Sequence, residues 1–165
     1  MRLLPLWLVA LFIVAPVASA LSLNYADYPV DRVYTGRIVL PQFKGRDKQW
    51  RRFRTRITES MKEDGVEYAG EINVVQIGCG TGCSFITLAN VKTGQLYDFP
   101  RSGEEIRSIQ IHVEPTSKLL AVQWEGDDGC HLEHFLWTGK GVKRLNDRRL
   151  ASADSCMNLI KDNLP

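Results

Sequence analysis

The chain has 165 residues, a formal net charge of +2 at pH 7 and four cysteines. This length suits a single domain that buries a sizeable core. The near-neutral net charge argues against a protein that binds polyanions over its whole surface.

Residues 1–20 show the three-part pattern of a secretory signal peptide. A charged start at Arg2 precedes an apolar run over 3–17, and Ala18-Ser19-Ala20 forms a small-x-small cleavage site. The apolar run is short and contains two prolines, so a cleaved signal is favoured over an uncleaved anchor helix. We expect a single mature β-rich domain over 21–165, with no transmembrane segment and a periplasmic or secreted location. Nucleic acid is not an expected partner in that compartment.

The first part of the mature chain, 21–42, lacks a helical period and predicts an extended arm with one strand over 37–40. The next segment, 47–64, predicts one amphipathic helix that ends at Gly65. Its apolar residues recur every three or four positions, at Trp50, Phe53, Ile57 and Met61.

Beyond Gly65 the sequence predicts β hairpins, because short runs of β-branched and aromatic residues alternate with turn-forming clusters. The predicted strands are 72–77, 85–90, 95–99, 109–113, 119–124, 130–137 and 142–145. Alternation in 109–113 predicts that one face of this strand is in water. A short helix over 155–161 is expected near the C-terminus. The predicted fold class is mainly β, an antiparallel hairpin meander with propeller-blade-like sheets and these two helices.

The stretch Cys79-Gly-Thr-Gly-Cys83 predicts a disulfide across a tight turn, in which Gly80 and Gly82 adopt positive φ. The remaining cysteines are then Cys130 and Cys156, although four cysteines allow three connectivities. A redox dithiol would need a feature that lowers a thiol pKa, and a phosphate-binding loop would need a following helix with Lys-Ser or Lys-Thr. The flanks of this stretch predict strands instead.

The stretch Cys130-His-Leu-Glu-His134 carries three metal-ligand side-chain types. In a strand, His131 and Glu133 share one face and His134 lies on the other, which disfavours a four-ligand zinc shell. We expect polar residues at a sheet edge here, and no metal or cofactor site.

The turn between Cys79 and Cys83 and two charged segments are candidate partner-binding surfaces. Between Lys44 and Lys62 there are eight basic residues and two acids. This segment predicts one of three things: a solvated helix face, internal pairing with Glu125, Asp127 and Asp128, or a surface that binds an anionic surface or an acidic protein. The sequence Glu-Gly-Asp-Asp-Gly-Cys lacks the spacing of a calcium loop and predicts a hairpin turn. The candidate partner-binding residues are Gly80, Thr81, Gly82, Asp127, Asp128, Arg51, Arg52, Arg54 and Arg56.

Residues 53–100 carry four features in order: Phe-Arg-Thr-Arg in the helix, Ala69-Gly70 before a strand, the Gly-Cys-Gly-Thr-Gly-Cys turn, and a Lys-Thr-Gly-Gln-Leu-Tyr hairpin. In these features the chain resembles a family of small exported Gram-negative proteins with no assigned activity. The resemblance implies export and fold. In size and class only, the chain is also similar to periplasmic immunity proteins that neutralise cell-wall amidase toxins and to periplasmic lysozyme inhibitors.

The sequence contains no G-x-S-x-G, H-E-x-x-H or Walker-type motif, so we do not expect an enzyme. The favoured hypothesis is a non-catalytic periplasmic binding protein, most concretely an inhibitor or immunity protein for a cell-wall hydrolase. The first alternative is an envelope-associated or virulence-linked factor that binds anionic surfaces through its Arg-rich helix. The second alternative is a thiol or metal-dependent enzyme that uses Cys79 and Cys83 or the 130–134 cluster.

Overall fold

A computed structural model describes residues 23–164, and within them seven strands form two antiparallel sheets. The three-stranded sheet consists of β1 (Ile72–Gly80), β2 (Cys83–Asn90) and β3 (Leu96–Asp98). The four-stranded sheet consists of β4 (Arg107–Val113), β5 (Leu119–Gly126), β6 (Gly129–Trp137) and β7 (Val142–Arg149). Consecutive strands are neighbours in both sheets, so the predicted mainly β meander is confirmed. The predicted signal peptide and its cleavage site lie outside the described residues.

The two sheets pack against each other through a shared apolar core. Because successive side chains of a strand point to opposite faces, every second residue of the facing strands enters this core. Fully burying one such side chain contributes about 1.5–3 kcal/mol. The buried core residues include Ile72, Ile86 and Leu88 from the three-stranded sheet and Leu120, Val122 and Phe135 from the four-stranded sheet.

A helical layer covers the outer face of the three-stranded sheet. The segment predicted as one helix over 47–64 consists of a 3-10 helix, Lys48–Phe53, followed by α1, Arg54–Glu63. Ile57 and Met61 are completely buried against the sheet. Gly65, with φ of 63°, ends α1 in the left-handed conformation that glycine adopts readily. Within residues 23–164, no helix is long and apolar enough to cross a bilayer.

The predicted strand over 37–40 does not form. The backbone N–H of Val39 donates to the carbonyl of Val91 at 2.9 Å, and no β ladder accompanies this bond. Val91 lies just beyond the end of β2, so no strand edge is available to continue the pairing. Residues 28–42 are therefore an extended arm without the strand, whereas Tyr25–Asp27, also predicted as part of the arm, form a short 3-10 helix.

The C-terminal tail covers the outer face of the four-stranded sheet, and it is not the single helix predicted over 155–161. It contains a 3-10 helix, Ala153–Met157, and α2, Ile160–Asn163, separated by extended backbone. The carbonyl of Asn158 accepts hydrogen bonds from the side-chain amides of Gln110 at 2.8 Å and Gln123 at 3.0 Å. These bonds stabilise the extended backbone that separates the two short helices. They also show that the β4 face predicted to be in water is half covered by the tail.

Both predicted disulfides form, with Cα–Cα distances of 5.2 Å for Cys79–Cys83 and 5.6 Å for Cys130–Cys156. The second disulfide is buried and fastens the tail to β6. Cys79 is exposed, by contrast, and the bond to Cys83 closes the turn between β1 and β2.

The two disulfides should therefore differ in their contribution to the free energy of unfolding. Loop-closure entropy gives about 2 kcal/mol for Cys79–Cys83 and about 3.5 kcal/mol for Cys130–Cys156, and replacing the buried pair adds a packing loss. We expect the C130A/C156A protein to unfold at a lower urea concentration than the C79A/C83A protein. Equal midpoints, or the reverse order, would contradict this ranking.

Candidate functional site

The stapled turn, residues 79–83, is an exposed loop held closed by its disulfide. Gly80 and Gly82 have φ values of 143° and 74°, so both adopt the predicted positive φ. This backbone conformation is unfavourable for a residue that has a side chain. A Cβ at Gly80 would meet no atom within 4 Å, so the loop projects into open space. Its rigidity lowers the entropy that the chain loses when the loop is bound.

The acidic turn, residues 126–129, lies beside the stapled turn and is joined to it by Arg107. A Cβ at Gly82 would lie 4.0 Å from the Cβ of Arg107. The Arg107 guanidinium lies 3.5 Å from a carboxylate oxygen of Asp127 and 3.5 Å from one of Glu125. The structure therefore brings two of the three predicted surfaces together at one end of the molecule.

The backbone next to Arg107 is irregular. Pairing between β4 and β5 shifts register between Arg107 and Gln110, and Ser108 has a φ of 50°, which is unfavourable for a residue with a side chain. The Ser108 hydroxyl donates to the Glu125 carboxylate at 3.3 Å. Strained residues of this kind concentrate at functional sites, where the surrounding structure holds them in place.

A cleft of about 490 Å³ separates the stapled turn from the C-terminal tail. It is lined by Gly80 and Gly82–Ser84 on the side of the stapled turn, by Ser108–Gln110 of β4, and by Cys156 and Met157 of the tail. The Met157 side chain is 80% exposed and Leu159, two residues along, is 56% exposed, which are the highest values among the large apolar side chains of the described residues. This end of the molecule thus presents a rigid loop, an acidic turn and exposed apolar surface together.

His131 connects the acidic turn to the sheet. Its Nε2 lies 2.9 Å from a carboxylate oxygen of Asp128, its Nδ1 lies 3.1 Å from one of Asp147, and its ring stacks on Trp124 with centroids 4.4 Å apart. Burial alone would lower the pKa of His131, but the hydrogen bonds with the two carboxylates outweigh it and raise the pKa above its usual value.

Glu133 has no exposed surface and accepts hydrogen bonds from three side chains. Arg101 donates from two guanidinium nitrogens, one of them at 2.6 Å, while Trp124 Nε1 donates at 2.8 Å and Arg144 at 3.0 Å. Burial would raise the pKa of the carboxyl, but the hydrogen bonds from these donors lower it. The prediction of polar residues at a sheet edge is wrong here, because β6 lies between β5 and β7 and its charged residues are buried.

His134 points to the other face of β6, as alternation predicts. The side-chain oxygen of Asn146 accepts from the His134 backbone N–H at 3.0 Å and lies 2.9 Å from Nδ1. Burial lowers the pKa of this imidazole. Among residues 23–164, no group of three or more His, Cys, Asp or Glu side chains is arranged to hold a metal ion.

The third predicted surface, the Arg-rich helix, lies in the helical layer and does not join the other two. Arg51, Arg52, Arg54 and Arg56 are exposed. Their predicted pairing with Glu125, Asp127 and Asp128 is wrong, because these acids contact Arg107, His131 and Arg149 instead. The sequence carried no signal for the role of Arg107, since the bulge that turns it toward both loops comes from tertiary packing.

No family model matches this chain, and comparisons with curated proteins and with solved structures found no match. The family resemblance based on residues 53–100 therefore stays a prediction.

The raised pKa of His131 predicts a characteristic pH dependence of stability. The protonated imidazole stabilises the folded state fully below about pH 6.5, and this stabilisation is lost as pH rises through the raised folded pKa. In urea unfolding between about pH 5.5 and pH 9, the advantage of the native protein over H131Q should shrink as pH rises.

His134 provides a control of opposite sign. Its folded pKa is lowered, so its contribution is present above the unfolded pKa and is lost as pH falls. The advantage of the native protein over H134Q should therefore grow as pH rises. Parallel profiles for H131Q and H134Q would contradict the two opposite shifts.

The Glu133 ion pair predicts a large effect on folding. Glu133→Ala leaves Arg101 and the Trp124 N–H without their acceptor in the protein interior, so we expect a loss of about 3–5 kcal/mol in the free energy of unfolding. Glu125→Ala, which removes a partly exposed pair with Arg107 and the acceptor of the Ser108 hydroxyl, should cost less, about 1–2 kcal/mol. Equal losses in urea unfolding of the two variants would show that burial of Glu133 does not determine its contribution.

Proposed function

We propose that this protein is an exported, non-catalytic binding protein that inhibits a cell-wall hydrolase. The stapled turn enters the substrate cleft of the enzyme, and the acidic turn contacts the rim of that cleft. The observation that supports this proposal is the junction at Arg107, which places the two turns side by side on a rigid frame.

The shape of the stapled turn suits insertion into a cleft. The turn is narrow, because its residues between the cysteines are two glycines and one threonine. It is closed by a disulfide, so little conformational entropy remains to be lost on binding. The two disulfides also support the proposal, because disulfides persist in oxidising compartments such as the one in which cell-wall hydrolases act.

The charge of the acidic turn suits the same kind of partner. An enzyme that acts on an anionic polymer gains from a basic surface around its cleft, because the surface attracts the substrate. The Asp127 side chain is fully exposed and that of Asp128 is mostly exposed, so a basic rim can reach both carboxylates in competition with Arg107 and His131. Complementary charge of this kind raises the rate of association and fixes orientation. Met157, which lines the cleft beside the stapled turn, adds exposed apolar contact area.

The proposal predicts inhibition that depends on the two turns. The purified protein, titrated against a cell-wall glycosidase and a peptidoglycan amidase, should lower the rate of cell-wall solubilisation by at least one of them. Thr81→Arg and Asp127→Lys should each weaken inhibition by about tenfold or more, since tenfold corresponds to about 1.4 kcal/mol of binding energy. C79S/C83S should weaken it through loss of preorganisation.

Lys140→Glu is the matched control. Lys140 lies in the exposed turn between β6 and β7, at the opposite end of β6 from the acidic turn, so its charge reversal should leave inhibition unchanged. Full activity of both hydrolase classes at saturating protein would overturn the proposal. Equal effects of D127K and K140E would overturn the assignment of the binding surface.

A further inference from the structure

A second concave surface lies away from the two turns, where the N-terminal arm meets the helical layer. The cationic cavity, as we name it, has a volume of about 630 Å³ and is lined by residues 41–45 together with Arg51 and Arg54. Its size is within the range of sites that hold small molecules.

The charge of the cationic cavity is not balanced by the protein. Lys44, Arg51 and Arg54 are exposed and, among residues 23–164, none of them has a carboxylate oxygen within 4.0 Å. The buried acid of this loop, Asp47, is already occupied, because it accepts hydrogen bonds from Arg46 and from the backbone N–H of Gln42. The cavity therefore presents three cations and no acid in its lining.

The loop that forms one wall of the cationic cavity is held rigidly. Asp47 closes it through the 2.9 Å hydrogen bond from Gln42, and Gly45 N–H donates to the carbonyl of Gln42 at 2.8 Å. Arg46 also donates to the carbonyl of Gly94 at 2.8 Å, which ties the loop to the hairpin between β2 and β3. The cations thus sit on a preorganised frame, which lowers the entropic cost of ligand binding.

We infer that the cationic cavity binds the phosphate group of a phosphorylated organic ligand. Arg51 and Arg54 are three residues apart and face the same cavity, where their guanidinium forks match the geometry of phosphate oxygens. Lys44 also lines the cavity and adds a third positive charge. Phe43 and Pro41 provide an apolar surface for the organic part of the ligand.

The other two arginines of the helical layer distinguish this site from a diffuse positive surface. Arg52 places its guanidinium over the ring of Phe53, 5.3 Å from the centroid, and neither Arg52 nor Arg56 lines the cavity. If binding were simple attraction to an anionic surface, its affinity would depend equally on all four arginines. A phosphate site would depend on Arg51 and Arg54 and tolerate the loss of the other two.

Two probes separate the sources of such a phosphate group. Binding of glycerol 3-phosphate, measured by calorimetry, tests for a free phosphorylated molecule. Co-sedimentation with phosphatidylglycerol vesicles, compared with phosphatidylcholine vesicles, tests for a lipid headgroup. The variants are R51Q/R54Q and K44Q, and the control with matched charge loss is R52Q/R56Q. All of these side chains are exposed, so circular dichroism should show folded proteins throughout.

We expect R51Q/R54Q to weaken binding of the effective probe at least about tenfold, K44Q to weaken it to a smaller extent, and R52Q/R56Q to change it less than about twofold. Binding of glycerol 3-phosphate identifies a soluble ligand, whereas binding of vesicles alone identifies a headgroup. Equal losses for the two double variants would overturn the site in favour of diffuse attraction. Absence of binding of both probes at millimolar phosphate would overturn it outright. These outcomes are independent of hydrolase inhibition, because no variant touches either turn.

Discussion

The buried carboxylate of Glu133 is the interaction on which the arrangement of the two sheets depends. A carboxylate without exposed surface is stable only when its oxygens receive hydrogen bonds, and here Arg101 supplies two of them from the segment that connects the sheets. The next residues of that segment are fixed to β2, since Ser102 accepts from Ile86 N–H at 2.9 Å and Gly103 N–H donates to the carbonyl of Ser84 at 2.8 Å. One ion pair in β6 therefore sets the position of the β2 end that carries the stapled turn.

The proposed binding surface follows from this connection. Arg107 comes four residues after Gly103, at the start of β4, and its backbone position is determined by the same connecting segment. From there its guanidinium reaches the acidic turn of the neighbouring hairpin. On the other side of that turn, His131 holds Asp128 while stacking on Trp124, which also donates to Glu133. The two loops are thus positioned by the core and by each other, so the proposed binding surface is ordered before any partner binds.

Local features of this fold could be predicted from the sequence, and features set by distant contacts could not. The strands follow from short runs of β-branched and aromatic residues between turn-forming clusters, and the stapled turn follows from two glycines between two cysteines. The break in the C-terminal helix depends on amides of Gln110 and Gln123, which are remote in sequence from Asn158. The central position of β6 could not be predicted for the same reason. Charged residues in a strand indicate an edge strand, and the distant side chains that donate hydrogen bonds to the buried Glu133 are not identifiable from the sequence.

The distribution of charge is compatible with the two separate recognition surfaces proposed for this nearly neutral chain. Most acids on the four-stranded sheet are engaged, Glu133 by Arg101 and Glu125 by Arg107, whereas the cations of the helical layer have no such partners among the described residues. Exposed ion pairs contribute little to stability, so pairing these cations would have gained the fold less than about 1 kcal/mol each. Their separation from the acids thus costs the fold little and leaves the helical layer positive. The small net charge of the whole chain does not describe this layer, since a ligand within a Debye length responds to the local field.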